Sequence, residues 1–258
     1  MSLRNRVRLV IIAVIFLWFL AHAWFVGARS LLEGWELWSL LLAVAIGIII
    51  SNIIVRRSAS RFKEALARED IEAARRQHKL LIDFWRWRGR ETIKASGISI
   101  LILEERYLDA LEQLQGLDIK RIGKKAAPVV TNQIAWCTAQ VGEPAKAIEL
   151  SRSVFAQMQS MGSAYSSSSN LVLGVCEFLL GKPSEALLNL EKAYSSAEAS
   201  PSRRATAAFY LGESYSALGS ATEARSAYQQ AHEALPNGRF GLRALERLNQ
   251  PPSRTQTQ

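Results

Sequence analysis

Two long apolar runs dominate the first 55 residues. From Leu9 to Ala28 no residue is formally charged, and a second run extends from Leu37 to Val55 (LWSLLLAVAIGIIISNIIV). About 20 apolar residues at ~1.5 Å per residue match a bilayer core of ~30 Å. The pattern predicts two transmembrane helices, at 8–28 and 37–55, joined by a short linker into an antiparallel hairpin. The first run continues past the Ala-His-Ala of 21–23 through Trp24, Phe25 and Val26, longer than a signal-peptide core of ~7–15 residues, and is read as retained. Residues 56–90 then mix basic and apolar positions without proline, and predict a connector helix that leaves the membrane. Residues 91–250 take up the periodicity of amphipathic helices. Pro251 and Pro252 end the last of them, and 251–258 is predicted to be disordered.

Charge orients the hairpin. The net charge is +9, and the basic excess sits in the first half of the chain: +4 over residues 1–60, +4 over 61–127 and +1 over 128–258. Arg4, Arg6 and Arg8 precede the first run, whereas Arg56, Arg57, Arg61 and Lys63 follow the second. Positive flanks stay on the cytoplasmic side, which predicts both termini there, in a bacterial inner membrane, with the four juxtamembrane cations meeting anionic lipid. Trp24, Trp35 and Trp38 then fall at the opposite interface. Ala43, Gly47 and Ser51 are four apart on the second span, a small-residue face suited to close helix packing, within the hairpin or between copies. His22 is the one ionisable group of the first span and has no acidic partner in either. The Phe-Trp-Arg-Trp-Arg stretch at 84–88 suits either a cover for the first repeat or the headgroup layer.

The rest of the chain repeats. AQVGEPAKAIEL at 139–150, LLGKPSEALLNL at 179–190 and SALGSATEARSAY at 216–228 align on Ala147, Ala186 and Ala224, with Ala110 in YLDALEQL one period earlier. A unit begun at Ala205 places Leu211-Gly212, Tyr215, Ala224, Tyr228, Ala231 and Pro236 in the order of the tetratricopeptide pattern, which this chain resembles over about 91–238. The unit at Ser167 retains Leu173, Gly174, Ala186, Leu190 and Ala193; those at Pro128 and Glu91 retain less. The resemblance implies an all-α fold, a solenoid of helix pairs in which small residues let helices cross closely. Gly142, Gly181 and Gly219 suit left-handed helix ends, and Pro144 and Pro183 suit first turns. Residues 237–250 are read as a capping helix.

No chemistry stands out beside this. The sequence offers no phosphate-binding loop, no metal-ligand spacing and no nucleophile–base pair, so neither an enzyme nor a cofactor is expected. Cys137 and Cys176 occupy equivalent positions of consecutive units and read as small packing residues; His78 and His232 read as solvated. Folded-face positive charge is lacking, which argues against nucleic acid. The resemblance instead implies a concave protein-binding groove formed by Asn132, Trp136, Gln140, Leu171, Val175, Phe178, Phe209 and Glu213. The expectation is a membrane-anchored scaffold that recruits a protein through that groove; the alternative is a homo-oligomerising structural subunit of a membrane complex.

Overall fold

The computed structural model describes residues 35–85, 90–123, 126–196 and 198–250, and all regular structure among them is helical. The first apolar run with His22 and Trp24, the linker through residue 34, residues 86–89 and the tail 251–258 lie outside the described residues, and the predicted hairpin with them. Among the described residues one helix is, by length and composition, long and apolar enough to cross a membrane, over Leu42–Ala67.

That stretch belongs to helix α1, Trp35–Ala67, which does not stop at Val55. RRSASRFKEALA has neither proline nor glycine, so nothing ends the helix where the apolar run ends. The break comes at Arg68–Asp70. Glu69 adopts φ +55, and Asp70 Oδ1 accepts from Ala73 N at 2.8 Å to start α2, Ile71–Trp85. Helix α2 returns along α1 and buries Val55, Phe62 and Ala65 against Ala74 and Leu81. The segment expected as one outgoing connector helix is thus a hairpin.

This hairpin is the first of five built alike. The others are α3 with α4 (Arg90–Leu103, Tyr107–Gln115), α6 with α7 (Ala127–Gln140, Pro144–Ser160), α8 with α9 (Ser163–Leu179, Pro183–Ser195) and α10 with α11 (Pro201–Ala217, Ala221–Ala234). A short α5, Ile119–Ile122, lies between the second and third pairs. Each turn is closed by an N–H that donates five residues back. Asp70 donates to Ala65 O, Arg106 to Leu101 O, Glu143 to Thr138 O, Lys182 to Glu177 O and Ser220 to Tyr215 O, all at 2.9–3.0 Å. This is the Schellman closure, and it needs a left-handed residue in the turn. Gly142, Gly181 and Gly219 supply it in the last three pairs; Glu69 (φ +55) and Glu105 (φ +59) supply it in the first two. Five residues past each turn stands a buried alanine: Ala74, Ala110, Ala147, Ala186 or Ala224. The membrane helix candidate is therefore the leading helix of the first repeat.

Within pairs, glycine sets the approach. A Cβ on Gly174 would lie 2.7 Å from Leu190 Cγ, and one on Gly212 would lie 2.5 Å from the Tyr228 ring. Between pairs, the leading helices α6, α8 and α10 pack side by side and form the inner face. The curl is tight enough that α10 also touches α1, four pairs earlier. Helix α12, Arg239–Asn249, caps the fifth pair and inserts Phe240, 1% exposed, against Phe209 and Tyr210.

The candidate partner-binding face

The residues expected to line a groove fall on α6, α8 and α10, in unequal states. Val175 is fully buried in the core. Asn132 is buried and engaged: its Nδ2 donates to Ser168 Oγ at 3.3 Å, and its Oδ1 accepts from Ser151 Oγ at 3.3 Å. Trp136 and Leu171 are buried along the wall of a central cavity. Phe209 is covered by Phe240, centroids 5.4 Å apart, and by Tyr210 at 5.5 Å. Three of the eight remain partly accessible. Gln140 points its amide at Tyr210 Oη, at 3.5 Å; Phe178 meets the edge of the same Tyr210 ring at 5.7 Å; Glu213 is held by Arg247.

What fills the inner face is the chain itself. Along α12, Arg239, Arg243 and Arg247 are spaced one turn apart and reach carboxylates in three different pairs. Arg239 donates to Glu69 from its backbone N (2.8 Å) and Nε (3.4 Å), and from Nη1 to Ile102 O (3.0 Å). Arg243 Nη2 contacts both oxygens of Glu105, at 2.7 and 2.8 Å. Arg247 binds Glu213 bidentately, Nε at 2.7 Å and Nη2 at 3.0 Å. Glu69 also accepts from Ser202 Oγ at 2.6 Å, tying α10 to the first turn. The hydrogen bond from Arg247 to Glu213 pushes the guanidinium pKa up, and burial, followed by the hydrogen bond to Glu213, raises that of Tyr228.

The four cations that follow the second apolar run lie on the continuation of α1. Arg56, Arg57, Arg61 and Lys63 are all exposed, and they follow directly on the bare apolar surface of α1, where Leu42, Val44, Ile46, Ile48, Ile49, Ile50 and Ile53 are uncovered. Ala43 is exposed, Gly47 and Ser51 partly so, and a Cβ on Gly47 would meet nothing.

Both described histidines depart from the solvated reading. His78 packs on Phe62, hydrogen-bonds Ile93 O at 3.0 Å and lies over Gly97, where a Cβ would come 2.5 Å from its ring. His232 contacts Gly241 O at 3.2 Å. Each fills a helix–helix seam that local charge pattern does not reveal. Cys137 and Cys176 are buried free thiols, pushed up to about 12 by burial. Among the described residues no cluster of ligating side chains could hold a metal. Missed at the sequence level were the α12 arginines and the two turn glutamates; a four-residue arginine spacing was the available signal.

No protein-family model and no curated protein matches the chain. Among solved structures, the crystal structure of MamA protein aligns at 16% identity and a TM-score of 0.39, covering 70% of this chain and 91% of that one. The helical-repeat architecture rests on the five equivalent hairpins themselves.

Proposed function

We propose that the chain is a membrane-anchored helical-repeat scaffold that binds a protein partner on the cytoplasmic side of the membrane. The observation that carries the anchoring is the continuity of α1: one helix presents seven uncovered large apolar residues and then, without a break, pairs with α2 as part of the array. Burying such side chains in lipid gains ~1.5–3 kcal/mol each. The exposed Arg56, Arg57, Arg61 and Lys63 favour keeping that end with anionic headgroups. The partner-binding reading is supported by the repeat architecture, whose inner face ends in an accessible ledge of Gln140, Phe178 and Glu213 beside Tyr210. An aromatic anchor with polar neighbours is the composition of an interface hot spot.

The test is in-cell photocrosslinking from position 178, with position 175 as the buried control. A dominant foreign protein crosslinked from 178 alone supports recruitment. Crosslinks from 178 only to copies of this chain move the reading to the structural subunit. That second reading is favoured by the open face at Ala43, Gly47 and Ser51, and it predicts that Gly47→Leu lowers the mass of the detergent-solubilised particle.

A further inference from the structure

The curl leaves a cavity of about 360 Å³ at its centre. Three cationic residues line it, Lys63 from α1, Arg203 from the first turn of α10 and Arg239 from α12, and no acidic residue does. Arg239 is engaged by Glu69. The other two are not: among the described residues neither the Arg203 guanidinium nor the Lys63 ammonium has a carboxylate partner. Burial, with no neighbouring charge to offset it, pulls the Arg203 pKa below its ordinary value. Arg203 is half-buried and Lys63 is exposed at the rim, so each keeps some water, but the cavity they line carries positive charge with no anion facing it.

Two further features have the same polarity. The N-terminal end of α10 has no acidic residue in its first turn, so its dipole adds positive potential at Arg203. Trp136, another lining residue, holds a buried indole N–H with no acceptor. The remaining wall has an apolar part, Leu66, Leu103 and Leu171 among it, and a polar part of serine, threonine and amide side chains such as Ser99, Gln133 and Thr206. A volume at the low end of the ~300–1,000 Å³ typical of ligand sites suits a molecule of few heavy atoms.

We propose that this cavity binds a small organic carboxylate with a short apolar body. The carboxylate meets Arg203 and Lys63, and the body lies against Leu103, Leu171 and Trp136. Such a ligand would supply the counter-charge that the folded chain lacks at Arg203. The site is independent of the partner-binding ledge, so either reading can fail without the other.

The full chain in detergent is titrated with hexanoate, acetate and inorganic phosphate at matched ionic strength, and its melting temperature is followed. Hexanoate is expected to raise it saturably and at lower concentration than acetate or phosphate. Arg203→Gln is expected to weaken the hexanoate effect about tenfold or more, the loss of a charge-assisted hydrogen bond. The same substitution should leave the ligand-free melting temperature unchanged or slightly higher, because it removes an unpaired, half-buried charge. Should Arg203→Gln fail to fold, Lys63→Gln makes the same comparison. No saturable hexanoate shift overturns the proposal, as does a shift equal in the variant. Acetate or phosphate matching hexanoate overturns the apolar-body assignment.

Discussion

Glu69 and Glu105 hold the same place in their repeats, the left-handed residue of the turn, and receive Arg239 and Arg243, which are one helical turn apart on α12. A repeat in the first two pairs is thus read out by a helical spacing at the far end of the chain. Glu69 is the more buried of the two, its side chain 6% exposed. Arg239→Ala would leave that carboxylate without its counter-charge, held only by the Ser202 hydroxyl and the backbone N–H of position 239, a loss of about 1.5–3 kcal/mol. Denaturant unfolding followed by circular dichroism should show it. The double exchange Glu69→Arg with Arg239→Glu should recover part of the loss, and an exchange no better than Arg239→Ala would dismiss the pair as the cause.

The turn glutamates also carry backbone strain. At φ +59, Glu105 sits where a side chain is disfavoured by ~1 kcal/mol or more and glycine is not. Glu105→Gly and Glu105→Ala both remove the contact to Arg243, so their difference isolates the backbone. The glycine variant should be more stable by about 1 kcal/mol. Equal stabilities would mean that the turn relaxes.

Gly174 and Gly212 should not tolerate a methyl group. The Cβ of Gly174→Ala would meet Leu190 at 2.7 Å at Cγ and 3.1 Å at its backbone N, so shifting the side chain alone does not relieve it. Overpacking of this kind costs about 1–3 kcal/mol. Leu190 is fully buried, and Leu190→Ala should cost about 2–5 kcal/mol alone. The two substitutions together should cost less than their sum, and strict additivity in unfolding measurements would place the clash elsewhere.

The thiols provide a probe of the repeat core. With pKa values of about 12, Cys137 and Cys176 hold almost no thiolate at pH 8, and both are enclosed. A raised thiol pKa leaves the folded state unpenalised at neutral pH and costs it stability as the pH climbs past the ordinary thiol value of 9.0 toward about 12. Alkylation with iodoacetamide at pH 8 should be negligible in the folded protein and reach both residues in denaturant. Rapid labelling of either under native conditions would show that its pair opens locally.

The repeat was legible from Ala147 onward because alanine and glycine recur there together, and Ala110 was added on its spacing alone, its turn carrying Glu105 where later ones carry glycine. Its first unit was not, although Ala74 stands one period before Ala110, because Glu69 occupies the place that glycine marks in later units. The apolar run drew the boundary at Val55, and hydropathy alone gives no sign that a helix carries on through RRSASRFKEALA. The eight residues expected to line a groove fall on α6, α8 and α10. The covering of Phe209 was not foreseeable from local pattern, since Phe240 arrives on it from a later helix.

Helical arrays usually fold through contacts between neighbours alone, so that each unit can form as soon as it is made. Here the bond from Arg239 to Glu69 spans 170 residues. The acidic turn of the first pair must therefore wait, solvated and unmatched, until the last helix has been synthesised. The early pairs can assemble during translation, but closure of the curl cannot precede completion of the chain through α12.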